Sequence, residues 1–326
     1  MEASSARQEP ALRPLKSRRR PLDRIGDAGL HGLTALAAAG AVALIVAITY
    51  KVFDGAWPAI RHFGISFLWH AVWDPNRDVF GGLNFIYGTA LTSFVAVLVG
   101  GPLAIAIALY LTELAPRGVR GVVGSLVDML AAVPSVVIGL WGILVLGPFV
   151  QNDLEPLLGS VLGWTPFFRG AHHTGGLLPA MIVLTIMVVP ITSAVCRELF
   201  LTVPPELKEG AVGLGLTRWE MIRGVVIPYT RGGIVAAVLL GLGRALGEAI
   251  AVTQVIGNAN AHHISFFEFG DTLASRIANQ YQGALTHLTV SSLVYLAAIL
   301  LVVSLVVNVS AQWIVSRFDV MKAGAR

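Results

Sequence analysis

Arg244 and Glu248 stand four residues apart in an otherwise apolar stretch, Gly233 to Gly257, long enough for a helix to cross a bilayer core of about 30 Å. A spacing of i,i+4 places both side chains on one helix face, where they can meet. An ionisable side chain at mid-membrane is roughly 2.5 to 3.5 kcal/mol uphill, so two in one span ask for a purpose. The guanidinium suggests one: it is planar, permanently charged, and matches the oxygens of phosphate or a similar oxyanion in bidentate fashion. Glu248 would moderate it. An unpaired Arg in a low-dielectric path would hold a divalent anion too tightly to release it, whereas a carboxylate one turn away offers a competing partner. The other reading of the pair is an intramembrane ion pair that fixes helix packing. Gly243 and Gly247 form a GxxxG, and Gly241 lies one turn before Arg244, so close approach of a neighbouring helix is expected here.

Those residues need a membrane scaffold, and composition provides it. The chain has 326 residues, 55% hydrophobic and only 13% charged, with a mean hydropathy of +0.74, which predicts an all-α, polytopic integral membrane protein. Apolar runs of spanning length lie at Gly32 to Phe53 and at 84–112, 122–149, 177–200, 230–257 and 288–314, six in all. Gly100, Gly101, Pro102, Pro134 and Pro190 interrupt them and predict kinks. Residues 1–30 read as a basic, disordered tail. The first apolar run is too long for a signal peptide's h-region and is expected to be retained. With the N-terminus inside, the outer segments hold only Lys51, Arg61, Arg77, Arg169 and Arg276, and apart from Arg244 the rest of the 23 basic residues fall inside. That asymmetry accounts for the basic character without nucleic acid.

Several chemistries are excluded or weak. Cys196, the single cysteine, cannot form an internal disulfide or a sulfur-rich metal site. None of the four lysines, Lys16, Lys51, Lys208 or Lys322, follows a Gly, so there is no phosphate-cradling P-loop, and no catalytic motif is evident. The adjacent His172-His173 and His262-His263 read as polar loop residues rather than metal ligands, because sequence neighbours seldom chelate together. Asp128 reads as a solvated or interhelical carboxylate near the inner surface. Trp57, Trp69, Trp73 and Trp164 fall at outer span ends, as an interfacial aromatic belt would.

Between the fourth and fifth spans, Pro204 and Pro205 predict the start of a short surface helix, with Glu206 and Glu209 early in it and Gly213 and Gly215 at its end. Glu209-Gly210-Ala211, Gly215 six residues after the Glu, and Ile227-Pro228 resemble the EAA loop of ABC-transporter permeases, with Gly210 in place of the usual middle Ala. In that family the loop forms a coupling helix that fits a cleft in a cytoplasmic ATPase. The run Gly243-Arg244-Ala245-Leu246-Gly247-Glu248 is similar to the GRALGE motif of the phosphate permease subunits, the PstC family. Leu130 to Gly142 and Thr272 to Ala284 resemble further segments of it, with Gln280 where a Glu is common.

The resemblance implies a MetI-like core of residues 84–315, a coupling loop at 204–228, a first helix and outer loop at 31–83, and a C-terminal tail at 316–326. It implies a phosphate importer in a bacterial cell membrane, with both termini cytoplasmic. It also implies a second permease subunit resembling PstA, two copies of an ATPase resembling PstB that carry the ATP and Mg, and a phosphate-binding protein resembling PstS outside. On that basis Arg244 and Glu248 line the pathway, Glu209, Gly210, Ala211, Gly215 and Pro228 serve ATPase coupling, and Gly241, Gly243 and Gly247 serve helix packing. Sulfate, molybdate or phosphonate remain open as substrates. A secondary transporter would share the mid-membrane charges but gives no reason for the Glu209, Gly215 and Pro228 spacing.

Overall fold

Prolines decide where several helices of this chain stop or change their winding. The computed structural model describes residues 21–318 apart from His262, with side chains from 29 to 316 apart from Arg117 and His262. The remainder of both expected tails, and the His262 half of one histidine pair, lie outside the described residues. In chain order the helices are α1 (Pro21–Phe63), α2 (Leu83–Leu114), α3 (Arg117–Ala132), α4 (Ser135–Leu162), α5 (Leu177–Leu201), α6 (Pro205–Gly213), α7 (Arg218–Gly247), α8 (Ile250–Val255), α9 (Leu273–Gln280) and α10 (His287–Phe318). Among the described residues six are long and apolar enough to span a membrane: α1 with its 3₁₀ extension to Leu68, α2, α4, α5, α7 and α10. No β-strand occurs among them beyond one isolated bridge, Asp74 with Val79.

Four wide π turns interrupt the winding, at Tyr110–Leu114, Gly142–Leu146, Val150–Leu154 and Ile222–Val226. Each ends two residues before a proline: Pro116, Pro148, Pro156 and Pro228. Proline has no N–H to donate and its ring crowds the carbonyl four residues earlier. Widening the preceding turn to an i→i−5 bond relieves both, as where Ala115 N–H donates to Tyr110 O at 2.7 Å.

Pro134 acts differently, and it moves the third span. An apolar run at 122–149 suggested one kinked helix. Instead, Val133 and Pro134 are extended, with ψ of 127° and 137°, because the residue before proline is pushed out of the α region. The span is α4, and α3 is a separate helix that leaves Val122, Leu126 and Met129 exposed along one face. Asp128 ties α3 to α5, its two carboxylate oxygens each accepting from Arg197 Nη2 at 3.2 Å.

The chain divides into two compact units, Met1–Lys51 and Val52–Arg326. In the first, the described side chains are almost all exposed. In the second, α5 is the central element, packing on α2, α3, α7 and α8. One apolar cluster joins α4, α5 and α8 around Met181, Leu184 and Val255. Another, around Phe200, Met221 and Val226, seats the 204–228 loop against α2 and α5. A third, at the opposite end, collects Phe67, Trp73, Phe80 and Phe85 beside α9 and α10. Trp73 therefore corrects the aromatic-belt expectation: it is 6% exposed, and its indole N–H donates to Gln280 Oε1 at 2.8 Å. A buried indole needs such a partner. Trp57, Trp69 and Trp164 are exposed.

Candidate functional site

Arg244 lies on α7 one turn beyond Gly241, whose packing fixes its depth. A Cβ built at Gly241 would come within 2.6 Å of Thr192 Oγ1 and 2.8 Å of Val188 Cγ1. Val188 and Thr192 straddle the midpoint of α5, so Arg244 stands close to mid-span. The helix expected to continue over 230–257 stops at Gly247. Glu248 has φ −72° and ψ 115°, outside the helix, and α8 begins at Ile250. Two glycines one turn apart weaken the end of α7, each by about 0.8 to 1.0 kcal/mol relative to Ala. Glu248 then starts the new helix, its Oε1 accepting the Ala251 N–H at 3.3 Å.

The break changes the geometry that spacing alone suggested. Arg244 and Glu248 do not share a continuous helix face, and their charges meet only at 4.0 Å, Nη2 to Oε2. The Glu248 side chain is 9% exposed and that of Arg244 is 40% exposed. At 4.0 Å the attraction is about 4 kcal/mol for an effective dielectric near 20, and less with so exposed a guanidinium. Such a pair is long and partly solvated. Irregular backbone at membrane depth is tolerated where it is buried in protein or lines an aqueous cavity.

Gly243 and Gly247 also depart from expectation. A Cβ at either would meet no atom within 4 Å, so among the described residues Gly241 alone of the three glycines makes a close helix contact. The other two share the uncovered side of α7 with Leu240, which is 54% exposed.

The 204–228 loop is built from strong local signals. Pro205 opens α6. The helix closes in a Schellman motif: Leu216 N–H donates to Ala211 O at 3.2 Å and Gly215 N–H to Val212 O at 2.9 Å. Gly215 takes the required left-handed conformation, φ +86°. Thr217 then starts α7 with a capping box, its hydroxyl accepting the Glu220 N–H and Glu220 returning to the Thr217 N–H. Ala211 is the only buried residue of α6. Glu209 and Gly210 face outward, beside Leu214 and Trp219, which are 83% and 64% exposed. Pro228 follows the π turn that lets α7 pass from loop to span.

Two polar centres left no mark in the sequence pattern. The first is Glu113, at the end of α2. Because Pro116 has no N–H and α2 stops there, the Thr112 and Glu113 carbonyls lose their helical donors. Arg120 Nη2 caps Thr112 O at 2.7 Å and Arg218 Nη1 caps Glu113 O at 2.9 Å. The Glu113 carboxylate accepts from Lys208 Nζ at 2.6 Å. These partners are 95 and 105 residues distant in the chain, and only tertiary structure joins them.

The second centre is Arg276, which reads in sequence as an outer-loop cation. It is buried against Asp271, Nε to Oδ2 at 2.7 Å, with its guanidinium over the Phe85 ring. Burial pushes the Asp271 carboxyl up to about 6, against the lowering influence of Arg276, and burial also lowers Arg276. Asn258, itself at φ +53°, stitches α8 to α9: it donates to Thr253 O and accepts from Ser275 Oγ.

The histidines His172 and His173 rest on Phe267 and Phe269. Among the described residues no group of three or more His, Cys, Asp or Glu is placed to hold a metal ion.

Comparison with known proteins gives the family and the fold. The family described as "Binding-protein-dependent transport system inner membrane component" matches residues 100–320. A protein of Mesorhizobium japonicum named "Phosphate transport system permease protein PstC" is 43% identical over 297 residues, covering 90% of this chain and 91% of its own. A protein of the same name from Haemophilus influenzae is 40% identical, covering 89% and 93%. In fold, the chain is similar to a subunit of a bacterial alginate ABC transporter crystallised with its periplasmic protein. The TM-score is 0.58 at 18% identity, over 89% of this chain and 97% of that one.

Proposed function

This chain belongs to the binding-protein-dependent transport system inner membrane component family, and from that premise we propose that it is the membrane-spanning permease subunit of an ATP-driven importer of inorganic phosphate. What carries the reading is the conjunction of a mid-span Arg244, loosely paired at 4.0 Å with Glu248 across a helix break, and an exposed helix, α6, closed by Gly215. The relatives named as phosphate transport permeases support the substrate.

In this reading the anion enters from the end of the bundle near α9, takes the Arg244 guanidinium from Glu248, and leaves as Glu248 reclaims it. A divalent phosphate competes well for a partly solvated guanidinium, and the waiting carboxylate keeps its residence short. Glu209, Gly210, Ala211, Gly215 and Pro228 shape the loop that a separate ATPase grips. ATP and Mg²⁺ are bound on that partner, resembling PstB and present in two copies. The uncovered side of α7 with Gly243 and Gly247 accepts a second permease resembling PstA. A phosphate-binding protein resembling PstS delivers substrate outside, and both termini are cytoplasmic.

The test is reconstitution of the chain with its co-purified partners into vesicles, following labelled phosphate with and without ATP and with sulfate or molybdate as competitor. ATP-dependent phosphate uptake that these competitors do not displace is expected. Near-normal uptake by both Arg244→Ala and Glu248→Ala would remove their pathway role, and preferential transport of another oxyanion would replace the substrate.

A further inference from the structure

Resting on the ATP-driven reading above, the structure assigns a transmission role to Glu113: we propose that its ion pair with Lys208 is the tie through which motion of α6 is passed to α2. Helix α6 has little other grip on the bundle, since Ala211 is its only buried residue and a methyl group offers a shallow hold. Besides its chain links to α5 and α7 and the Ala211 methyl in the apolar cluster, a pull on α6 travels through directional contacts. Lys208 provides two: its Nζ donates to Glu113 Oε1 at 2.6 Å and to the Phe200 carbonyl at 3.2 Å, at the end of α5.

Glu113 is placed to receive that pull from both sides of the loop. Its side chain is 8% exposed and that of Lys208 is 21% exposed, so the pair is shielded from the screening that makes surface ion pairs weak. Its carbonyl, left without a helical donor where α2 stops, is held by Arg218 of α7. The helices before and after the Gly215 turn are thus both fastened to one residue of α2. That residue sits inside the wide turn Tyr110–Leu114, a winding that differs from regular helix by a single shifted hydrogen bond and can move without unfolding the span. Beyond it α2 packs along α5 and α7, the helix that carries Arg244.

The test uses the whole complex in vesicles, with ATP hydrolysis and labelled phosphate uptake measured on the same preparation. Glu113→Gln, which keeps the shape but not the charge, and Lys208→Met should each lower phosphate moved per ATP by about fivefold or more, the lower end of ordinary coupling between sites. ATP hydrolysis and co-purification of the partners should persist, and Lys208→Arg should hold the wild-type ratio. Hydrogen exchange at the Ala115 amide, which closes the wide turn, should quicken in Glu113→Gln and Lys208→Met and not in Lys208→Arg. An unchanged ratio in both charge-removing variants, a Lys208→Arg ratio as low as that of Lys208→Met, or unaltered exchange at Ala115 would overturn the proposal. Absence of ATP-driven uptake in the wild type would instead strike the importer reading, since the exchange measurement stands without it.

Discussion

Replacing Gly215 by Ala and Gly210 by Ala should shift the same short helix in opposite directions. At Gly215 the backbone is left-handed, φ +86°, and a Cβ there would meet no atom within 4 Å, so the whole penalty is intrinsic backbone strain. That strain is about 1 to 2 kcal/mol for a residue with a Cβ. It falls on the two bonds that close α6, Leu216 N–H to Ala211 O and Gly215 N–H to Val212 O. Gly210 also has open space around its missing side chain, but it lies inside α6 in helical conformation. There Gly→Ala should stabilise by about 0.8 to 1.0 kcal/mol. Hydrogen exchange of the purified protein reads both. If exchange at Leu216 proceeds by local opening, Gly215→Ala should speed it about 5- to 30-fold. Gly210→Ala should slow the α6 amides about four- to fivefold. Movement of both variants in one direction, or a change under about twofold at Leu216 in Gly215→Ala, would refute this account of the turn.

Other outcomes follow from the geometry. Asp271 has a folded pKa raised from 3.8 to about 6, so the folded state binds its proton more tightly than the unfolded state. The associated stability is fully present below about pH 4 and is lost as pH rises through about 6. Thermal unfolding across that window should show the decline, and Asp271→Asn should flatten it; an unflattened profile would remove Asp271 as the cause. Gly257→Ala combines φ +86° with a Cβ placed on the Phe269 ring, and should destabilise by about 2 kcal/mol or more. An unaltered melting temperature would contradict that. Pro228→Ala combined with deletion of one residue within Ile222–Val226 should give regular winding there with the faces of α7 unmoved, which a structure of the variant would reveal; persistence of a wide turn would mean that neighbours, not the proline, impose it.

Much of the architecture was legible because apolar run length is a direct physical requirement of the bilayer, and the described residues include six helices of that kind. What run length cannot register is interruption by polar chemistry within an apolar stretch. At Pro134 the run continues while the helix does not, so the third span begins at Ser135 rather than near 122. At Glu248 the apolar residues resume directly in α8, so the run shows no gap although the backbone leaves the helix there. The loop at 204–228 was readable from Pro204, Pro205 and Gly215, since turn and cap chemistry is local, whereas the Thr217 capping box went unread. Glu113 with Lys208, and Asp271 with Arg276, could not be paired in advance. Their charges look solvated until tertiary packing closes around them. Gly243 and Gly247 carried a packing signature that the isolated chain leaves unsatisfied, whereas Gly241 meets its neighbours directly.

Each of the four wide turns amounts to one surplus residue that a membrane helix has absorbed without rotating the faces on either side. A deletion inside Ile222–Val226, made together with loss of Pro228, would therefore leave the remaining faces of α7 in place. The same deletion within Leu177–Leu201 would swing everything beyond it by about 100°. A residue added or removed beside these prolines is thus tolerated where one in the central helix is not.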